Sequence, residues 1–162
     1  MAKYSKHQIS SSLCFMKIRH ARIQDADIIV SQNIALAKES ENVSLCPEIV
    51  SAGVTAVIAD PTKGFYLLAE EQGNVIGQLL VTYEWSDWRN IPIWWVQSIY
   101  VQKGWRGKKV LTRLLETVSQ QAHHHGVKSL RLYVHQNNTA AALAYEKLGW
   151  KPASYNLYHL PL

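Results

Sequence analysis

Three cations crowd the start of one amphipathic helix. In VQKGWRGKKVLTRLL, residues 101–115, Arg106, Lys108 and Lys109 follow a strand-like approach and a Gly-Trp-Arg-Gly turn. A helix N-terminus has unpaired N–H groups and a partial positive charge, so each exposed cation there costs on the order of a few tenths of a kcal/mol. A bound polyanion reverses that sign, because amides and side chains then face it together. Without a ligand, the same residues form a solvated basic face. The charge pattern alone does not choose between the two.

Two other groups invite a chemical reading. His123-His124-His125 suggests a metal, but consecutive helical residues point about 100° apart and do not converge on one ion. Near a helix C-terminus their charged forms suit the dipole instead, and no metal site is expected. The aromatics Tyr83, Trp85, Trp88, Trp94, Trp95 and Tyr100 gather around one segment, with Glu84 and Asp87 among them. Adjacent strand residues face opposite sides, so Trp94 and Trp95 cannot both line one pocket. One fills the core, and the other is free for a ligand site or a subunit interface.

The elements that must position these groups follow from periodicity and punctuation. MKIRHA, residues 16–21, reads as a strand. Asp25 and Asp27 suit the first turn of a helix that carries Ile28, Ile29, Ala35, Leu36 and Ala37. A polar break, KESENVSLC, holds Glu39 and Glu41. Pro47 then suits the first position of a helix over 47–59. Residues 64–71 and 74–85 read as strands joined at Gln72-Gly73, a hairpin signal. Residues 92–101 are apolar on both alternating faces, as in a covered central strand. Val110, Leu111, Leu114, Leu115, Val118 and Ala122 recur at helical spacing over 107–125, and Gly126 suits the stop. A strand over 127–135, a helix over 138–148 and a strand over 154–160 complete the order β-α-α-β-β-β-α-β-α-β. A meander followed by a βαβ unit implies one mixed sheet with helices on both faces.

The bulk properties fit one packed domain. The 162 residues are 48% hydrophobic and 18% charged, which disfavours disorder and suits a sizeable core. No window reads as a transmembrane helix, and MAKYSKHQISSSLCF lacks the apolar run of a secretory signal. Residues 1–15 read as a polar, mobile extension, and residues 16–162 as the single domain. Cys14 and Cys46 form no CxxC pair and read as reduced thiols of a cytoplasmic protein. The net charge of +5 allows an anionic ligand or nucleic acid without selecting either.

Strand, Arg106-Gly107-Lys108-Lys109-Val110-Leu111 and amphipathic helix together resemble the acetyl-CoA-binding motif of the GCN5-related N-acetyltransferase (GNAT) family. The family pattern is Gln/Arg-x-x-Gly-x-Gly/Ala. Here the arginine is kept, and Lys109 and Leu111 replace the two glycines. A second family segment, Asn-x-x-Ala-x-x-x-Tyr-x-x-x-Gly-aromatic, is matched by Asn138, Ala141, Tyr145, Gly149 and Trp150. The resemblance spans about residues 16 to 160, and WSDWRN, WWVQSIYV and LRLYVHQNN look like a bacterial subgroup.

The resemblance implies an α/β fold with a mixed, mostly antiparallel central sheet of six to seven strands and about four helices on both faces. It implies an N-acetyltransferase using acetyl-CoA as cosubstrate, no metal, and a small-molecule or peptide amine as acceptor in a ternary complex. The strand near Ile99 and Val101 would pair with the pantetheine arm. The amides from Gly107 through Lys108, Lys109, Val110 and Leu111 to Thr112 would hold the pyrophosphate beside Arg106. Every non-proline residue donates an amide, so the lost glycines do not remove donors. Asn138 would contact the cofactor, cap its helix, or do both. Tyr145 would be the general acid, and Glu84 the first candidate base, followed by Asp87 and Glu41. Glu41, Trp85, Asp87 and Trp88 are expected near the acceptor. A homodimer is compatible with the family. The alternatives are a CoA-binding domain of this fold without catalysis, and a nucleic-acid-binding protein, which no cationic stripe or motif supports.

Overall fold

Residues 16–162 are described by a computed structural model, and the extension expected over 1–15, with Cys14, lies outside the described residues. Five strands form one sheet in the order β1-β2-β3-β4-β5: Lys17–His20, Phe65–Glu71, Asn74–Ser86, Ile91–Val101 and Leu130–Leu132. The first four are antiparallel neighbours and β5 joins β4 in parallel. The helices are α1 (Ala26–Glu41), α2 (Pro47–Ala59), α3 (Val110–His124) and α4 (Thr139–Lys147). None of the helices among the described residues is long and apolar enough to cross a membrane.

Local chemistry accounts for the joints. Gln72 and Gly73 both have positive φ, as a two-residue hairpin turn matching strand twist requires. Pro47 opens α2, where its missing N–H costs nothing. α1 runs on through Lys38-Glu39-Ser40-Glu41 and stops only at Asn42, which takes the left-handed conformation with φ of 56°. Asparagine tolerates that conformation, and its Oδ1 accepts from Lys38 Nζ at 2.7 Å. Thus the expected polar break begins one turn later than its composition suggested.

The sheet has two covered faces. Leu67, Ala69, Leu79, Val81, Trp94 and Val96 pack against Val110, Leu114, Leu115 and Val118 of α3. Tyr66 and Leu68 pack against Ile29 of α1 and Val54 of α2 on the other face. Burial of each such side chain contributes about 1.5–3 kcal/mol. Arg19 fastens edge strand β1 to the start of α1. Its guanidinium donates to both oxygens of Asp25, at 2.7 and 2.8 Å, and to Glu70 at 2.6 Å. Asp25 also accepts from the Arg22 amide, so it serves this anchor rather than a plain first turn of α1.

The mixed sheet and four helices agree with the expected class, but the described strands number five rather than six or seven. The strand expected over 127–135 keeps ladder pairing only at Leu130–Leu132. Residues 154–160 carry no ladder among the described residues. A strand is defined by its partner, and neither segment has one beyond these few residues. α3 begins at Val110 rather than 107, because Gly107 and Lys109 sit at φ of 75° and 63° and cannot continue a right-handed helix.

Candidate functional site

β5 follows β4 only from Trp94 to Val96. Beyond that point Gln97 to Val101 keep β3 on one side and no strand on the other among the described residues. The parting coincides with a bulge. Gln78 lies opposite Tyr100 but Leu80 lies opposite Gln97, so β4 holds one extra residue. Ser98 occupies it with φ of 48°, a left-handed conformation that costs a non-glycine residue about 1 kcal/mol. Bulges re-aim a strand and end its pairing, as happens here. The result is a cleft of about 610 Å³ walled by Gln97, Ser98, Ile99, Val134, Asn138 and Tyr145, and reaching α1 at Asn33, Ser40 and Glu41.

The cradle lies just past the end of the same strand. Among the described residues, the amides of Gly107, Lys109, Val110, Leu111 and Thr112 meet no acceptor, whereas Arg113 returns to Lys109 O at 3.0 Å. These are the free donors of a helix start. A Cβ at Gly107 would meet nothing within 4 Å, so glycine is favoured there by its φ of +75° and not by space. Val110 is buried and Leu111 packs on the core, leaving only their backbones for a ligand. Lys109 is exposed, and the Lys108 ammonium sits 4.8 Å from the Trp105 ring centre.

Arg106, expected beside the pyrophosphate, is held by partners within the protein. Its Nε donates to Val101 O at 2.9 Å and its Nη2 to Glu39 at 2.7 Å. Glu39 also accepts from the Tyr100 hydroxyl at 3.2 Å and faces Lys103 at 3.7 Å. The Arg106 guanidinium holds the Glu39 carboxyl below the usual carboxylate range. Arg106 therefore braces the turn before α3 against the end of α1. Glu39 was not among the expected site residues. It lies 67 positions from Arg106, and no local pattern announces the pair.

Asn138 caps α4, its Oδ1 accepting from the Ala141 amide at 3.1 Å, while its side chain lines the cleft. Two turns later Tyr145 is half-buried on the sheet, its ring centre 6.2 Å from that of Trp150. Burial disfavours the phenolate and pushes the Tyr145 hydroxyl up to about 12.

The candidate carboxylates are not brought together. Glu41 lines the cleft. Glu84 lies opposite Ile93, at the hairpin end of β3, well short of the parting at Val96. Its carboxylate accepts from Trp95 Nε1 at 2.6 Å and pairs with Arg131 at 3.1 Å. Asp87 accepts from the Trp88 amide in the exposed β3–β4 turn. Trp85 and Trp88, 62% and 87% exposed, belong to that end of the sheet and are not among the residues that wall the cleft at Ser98. Trp94 and Trp95 diverge as alternation requires: Trp94 packs edge-on to Phe65, and Trp95 stacks on Tyr133 at 4.3 Å.

Known proteins place this geometry. The chain is similar to a possible acetyltransferase from Clostridium difficile 630, with 36% identity and a TM-score of 0.85 over 91% of this chain and 97% of that one. At 15% identity it shares the fold of a predicted acetyltransferase with acetyl-CoA from Clostridium acetobutylicum, with a TM-score of 0.76 over 90% and 96% of the two chains. At 14% identity it shares the fold of the aminoglycoside N-acetyltransferase AAC(6')-Iy in complex with CoA, with a TM-score of 0.74 over 91% and 95%. No curated protein matches the sequence. The profile of the Acetyltransferase (GNAT) family matches residues 34–150, which run from α1 through the cleft, the cradle and α4 to Trp150. A parted pair of parallel strands, a helix start with free amides and a family profile spanning both make the chain a member of the GNAT acetyltransferase family.

Proposed function

We propose that the protein moves an acetyl group from acetyl-CoA to a primary amine by direct attack in a ternary complex. The observation that carries this reading is the parting of β4 from β5 after Val96, beside the bulge at Ser98. It leaves strand-edge backbone, a cleft and a helix start with free amides along one path. Bound acetyl-CoA supplies an activated thioester. The amides from Gly107 to Thr112 hold its pyrophosphate, with Lys109 adding a cation. The β4 edge at Ile99 orients the pantetheine arm, and Asn138 closes the opposite wall. The family glycines are dispensable here because the donors are backbone groups and Lys109 adopts the left-handed conformation that glycine would take more cheaply.

The amine nitrogen forms its bond to the acetyl carbon as the carbon–sulfur bond breaks. One proton leaves the nitrogen, and one is required at sulfur. Glu41, at the cleft, accepts from the amine directly or through water, whereas Glu84 is occupied by Trp95 and Arg131. Tyr145 faces the departing sulfur with its proton in place. A hydroxyl held at about 12 is a weaker acid than a thiol, so full transfer of its proton to the thiolate is uphill. Its main work is therefore to donate a hydrogen bond to the charge that develops on sulfur. Asn33, Ser40, Glu41 and Tyr66 set polar groups into an otherwise apolar far wall of Leu36, Leu45 and Val50. That lining suits an amine carried on an apolar or aromatic body.

Acetyl-CoA binding should quench tryptophan fluorescence and raise the melting temperature, and an amine panel should release CoA thiol. If acetyl-CoA moves neither signal, the transferase reading fails. Binding without thiol release across the panel would leave a CoA-binding domain.

A further inference from the structure

Three side chains beneath the cleft form a line of hydrogen bonds that runs in one direction. Gln78 of β3 is 0% exposed, and its Nε2 donates to Asn33 Oδ1 at 2.7 Å. Asn33, on α1, turns its Nδ2 to the Tyr66 hydroxyl oxygen at 3.5 Å, a long bond. Gln78 Oε1 has no partner among the described residues. Turning both amides end for end would orphan the Gln78 NH2 group instead, and an unpaired buried N–H is rarer than an unpaired C=O. That fixes the direction. Gln78 makes the Asn33 oxygen an acceptor, and the Asn33 amide makes the Tyr66 oxygen an acceptor in turn. The Tyr66 proton is left over and meets no acceptor among the described residues. Burial raises the hydroxyl above its ordinary value, so the proton stays on oxygen.

The strand register places this donor. Tyr66 lies opposite Leu80, and Leu80 opposite Gln97, so the three side chains share one sheet face. All three line the cleft, together with Val54 and Val57 of α2. Neighbouring strands are about 4.8 Å apart, which puts the Tyr66 backbone about 10 Å from that of Gln97, beside the parting of β4. Gln97 gives its Nε2 to Thr82 Oγ1 at 2.6 Å, which leaves its Oε1 as the end that accepts. The cleft thus has an accepting end at Gln97, an apolar middle at Leu80 and a donating end at Tyr66.

Resting on the transferase reading, we propose that Tyr66 selects acceptors that carry, at the end remote from the amine, an oxygen that accepts a hydrogen bond. Asn33 and Gln78 are the positioning residues that aim its proton. The amine itself is not the partner of that proton. An alkylammonium has donors only. Once deprotonated, its lone pair is committed to the acetyl carbon beside the parting, not to the far end. A hydrocarbon body leaves the buried Tyr66 O–H unpaired, whereas a terminal oxygen satisfies it. The acceptor class is accordingly an amino alcohol or an aminoalkyl phenol rather than a plain alkylamine.

The test compares isosteric acceptor pairs that differ in a terminal hydroxyl or methyl: tyramine against its para-methyl analogue, and aminohexanol against heptylamine. Thiol release from acetyl-CoA gives kcat/KM for each. The wild type should favour the hydroxyl member of the pair it turns over by about 10- to 100-fold. Tyr66→Phe should bring that ratio to within about twofold of unity. Asn33→Asp keeps the tyrosine but supplies two accepting oxygens, one for Gln78 and one for the Tyr66 proton, which then turns inward. It should abolish the preference as Tyr66→Phe does, an effect that a merely structural asparagine would not produce. A ratio taken on one preparation is independent of its folded fraction, so lost stability in a variant does not imitate the result. Release from both members without preference, or a preference that survives either substitution, overturns the proposal and leaves the transferase reading standing. Acetyl-CoA binding with no release from any member overturns both.

Discussion

Lys109→Gly separates what this position does for the fold from what it does for the ligand. Lys109 has φ of 63° at the start of α3. A left-handed conformation costs a side-chain-bearing residue about 1–2 kcal/mol, and glycine removes that cost. Glycine returns about 0.7 kcal/mol through the greater freedom of the unfolded chain. Removing a cation from a helix start adds about 0.4 kcal/mol. The net gain is about 1 kcal/mol, or about 2–4 °C in melting temperature for a domain of this size. Lys109→Ala keeps the backbone cost and relieves only the charge, so it should gain about 0.4 kcal/mol. Acetyl-CoA affinity should move the other way. Both variants lose one cation at the pyrophosphate and should bind about five- to tenfold more weakly, the gap closing at high salt. Scanning calorimetry without ligand and fluorescence titration at two salt concentrations read the two effects. A glycine variant that melts below wild type, or level with the alanine variant, would refute the conformational argument. Unchanged affinity in both would remove Lys109 from the phosphate site.

Tyr145→Phe should lower kcat about 10- to 100-fold, the worth of a hydrogen bond to developing charge, and leave KM for acetyl-CoA within about twofold. Because burial holds the hydroxyl protonated up to about 12, no fall in kcat assignable to Tyr145 should appear below about pH 10 in a pH–rate profile. Glu39→Gln releases Arg106 and Lys103 and should raise KM for acetyl-CoA about fivefold, with little change in melting temperature measured without ligand. Asp25→Asn should destabilise the fold by about 2–3 kcal/mol in urea titration, because Arg19 keeps its place but loses a forked partner. Arg19 holds the Asp25 carboxyl below its usual range. Its contribution is therefore fully present above the unfolded pKa near 4 and is lost as pH falls through the lower folded value. The melting temperature of the wild type should fall across that acid window more steeply than that of Asp25→Asn.

What the sequence disclosed was local. Gln72-Gly73 requires a turn of one kind, Pro47 and Asn138 begin helices, and the spacing from Val110 to Ala122 buries one helical face wherever the helix lies. The hidden features depend on partners distant in the chain. Glu84 looked close to the cleft because it ends a strand, but only the register, Glu84 opposite Ile93, reveals which end of the sheet it occupies. Glu39 looked like part of a polar break, and its tie to Arg106 exists only once α1 lies beside the end of β4. Strand 154–160 has the composition of a strand, yet pairing depends on an available edge, which composition does not supply. Asparagine at 42 extended α1 by a conformational choice that its neighbours do not signal.

Ser98 divides β4 into two phases. Before it, Trp94 and Val96 face α3 and Trp95 and Gln97 face the other way; after it, Ile99 and Val101 face α3 and Tyr100 turns to Glu39. A strand alternates with a period of two, so one added residue exchanges its faces from that point on. The two ends of β4 consequently differ in how their lengths can drift over generations. At the β3–β4 turn, a gained or lost residue alters only an exposed loop. Between Gln97 and Tyr100, a change of one would turn the Tyr100 ring toward α3 and take the Ile99 side chain out of the core, whereas a change of two would preserve the parity. The cleft end of β4 has, in this sense, a reading frame.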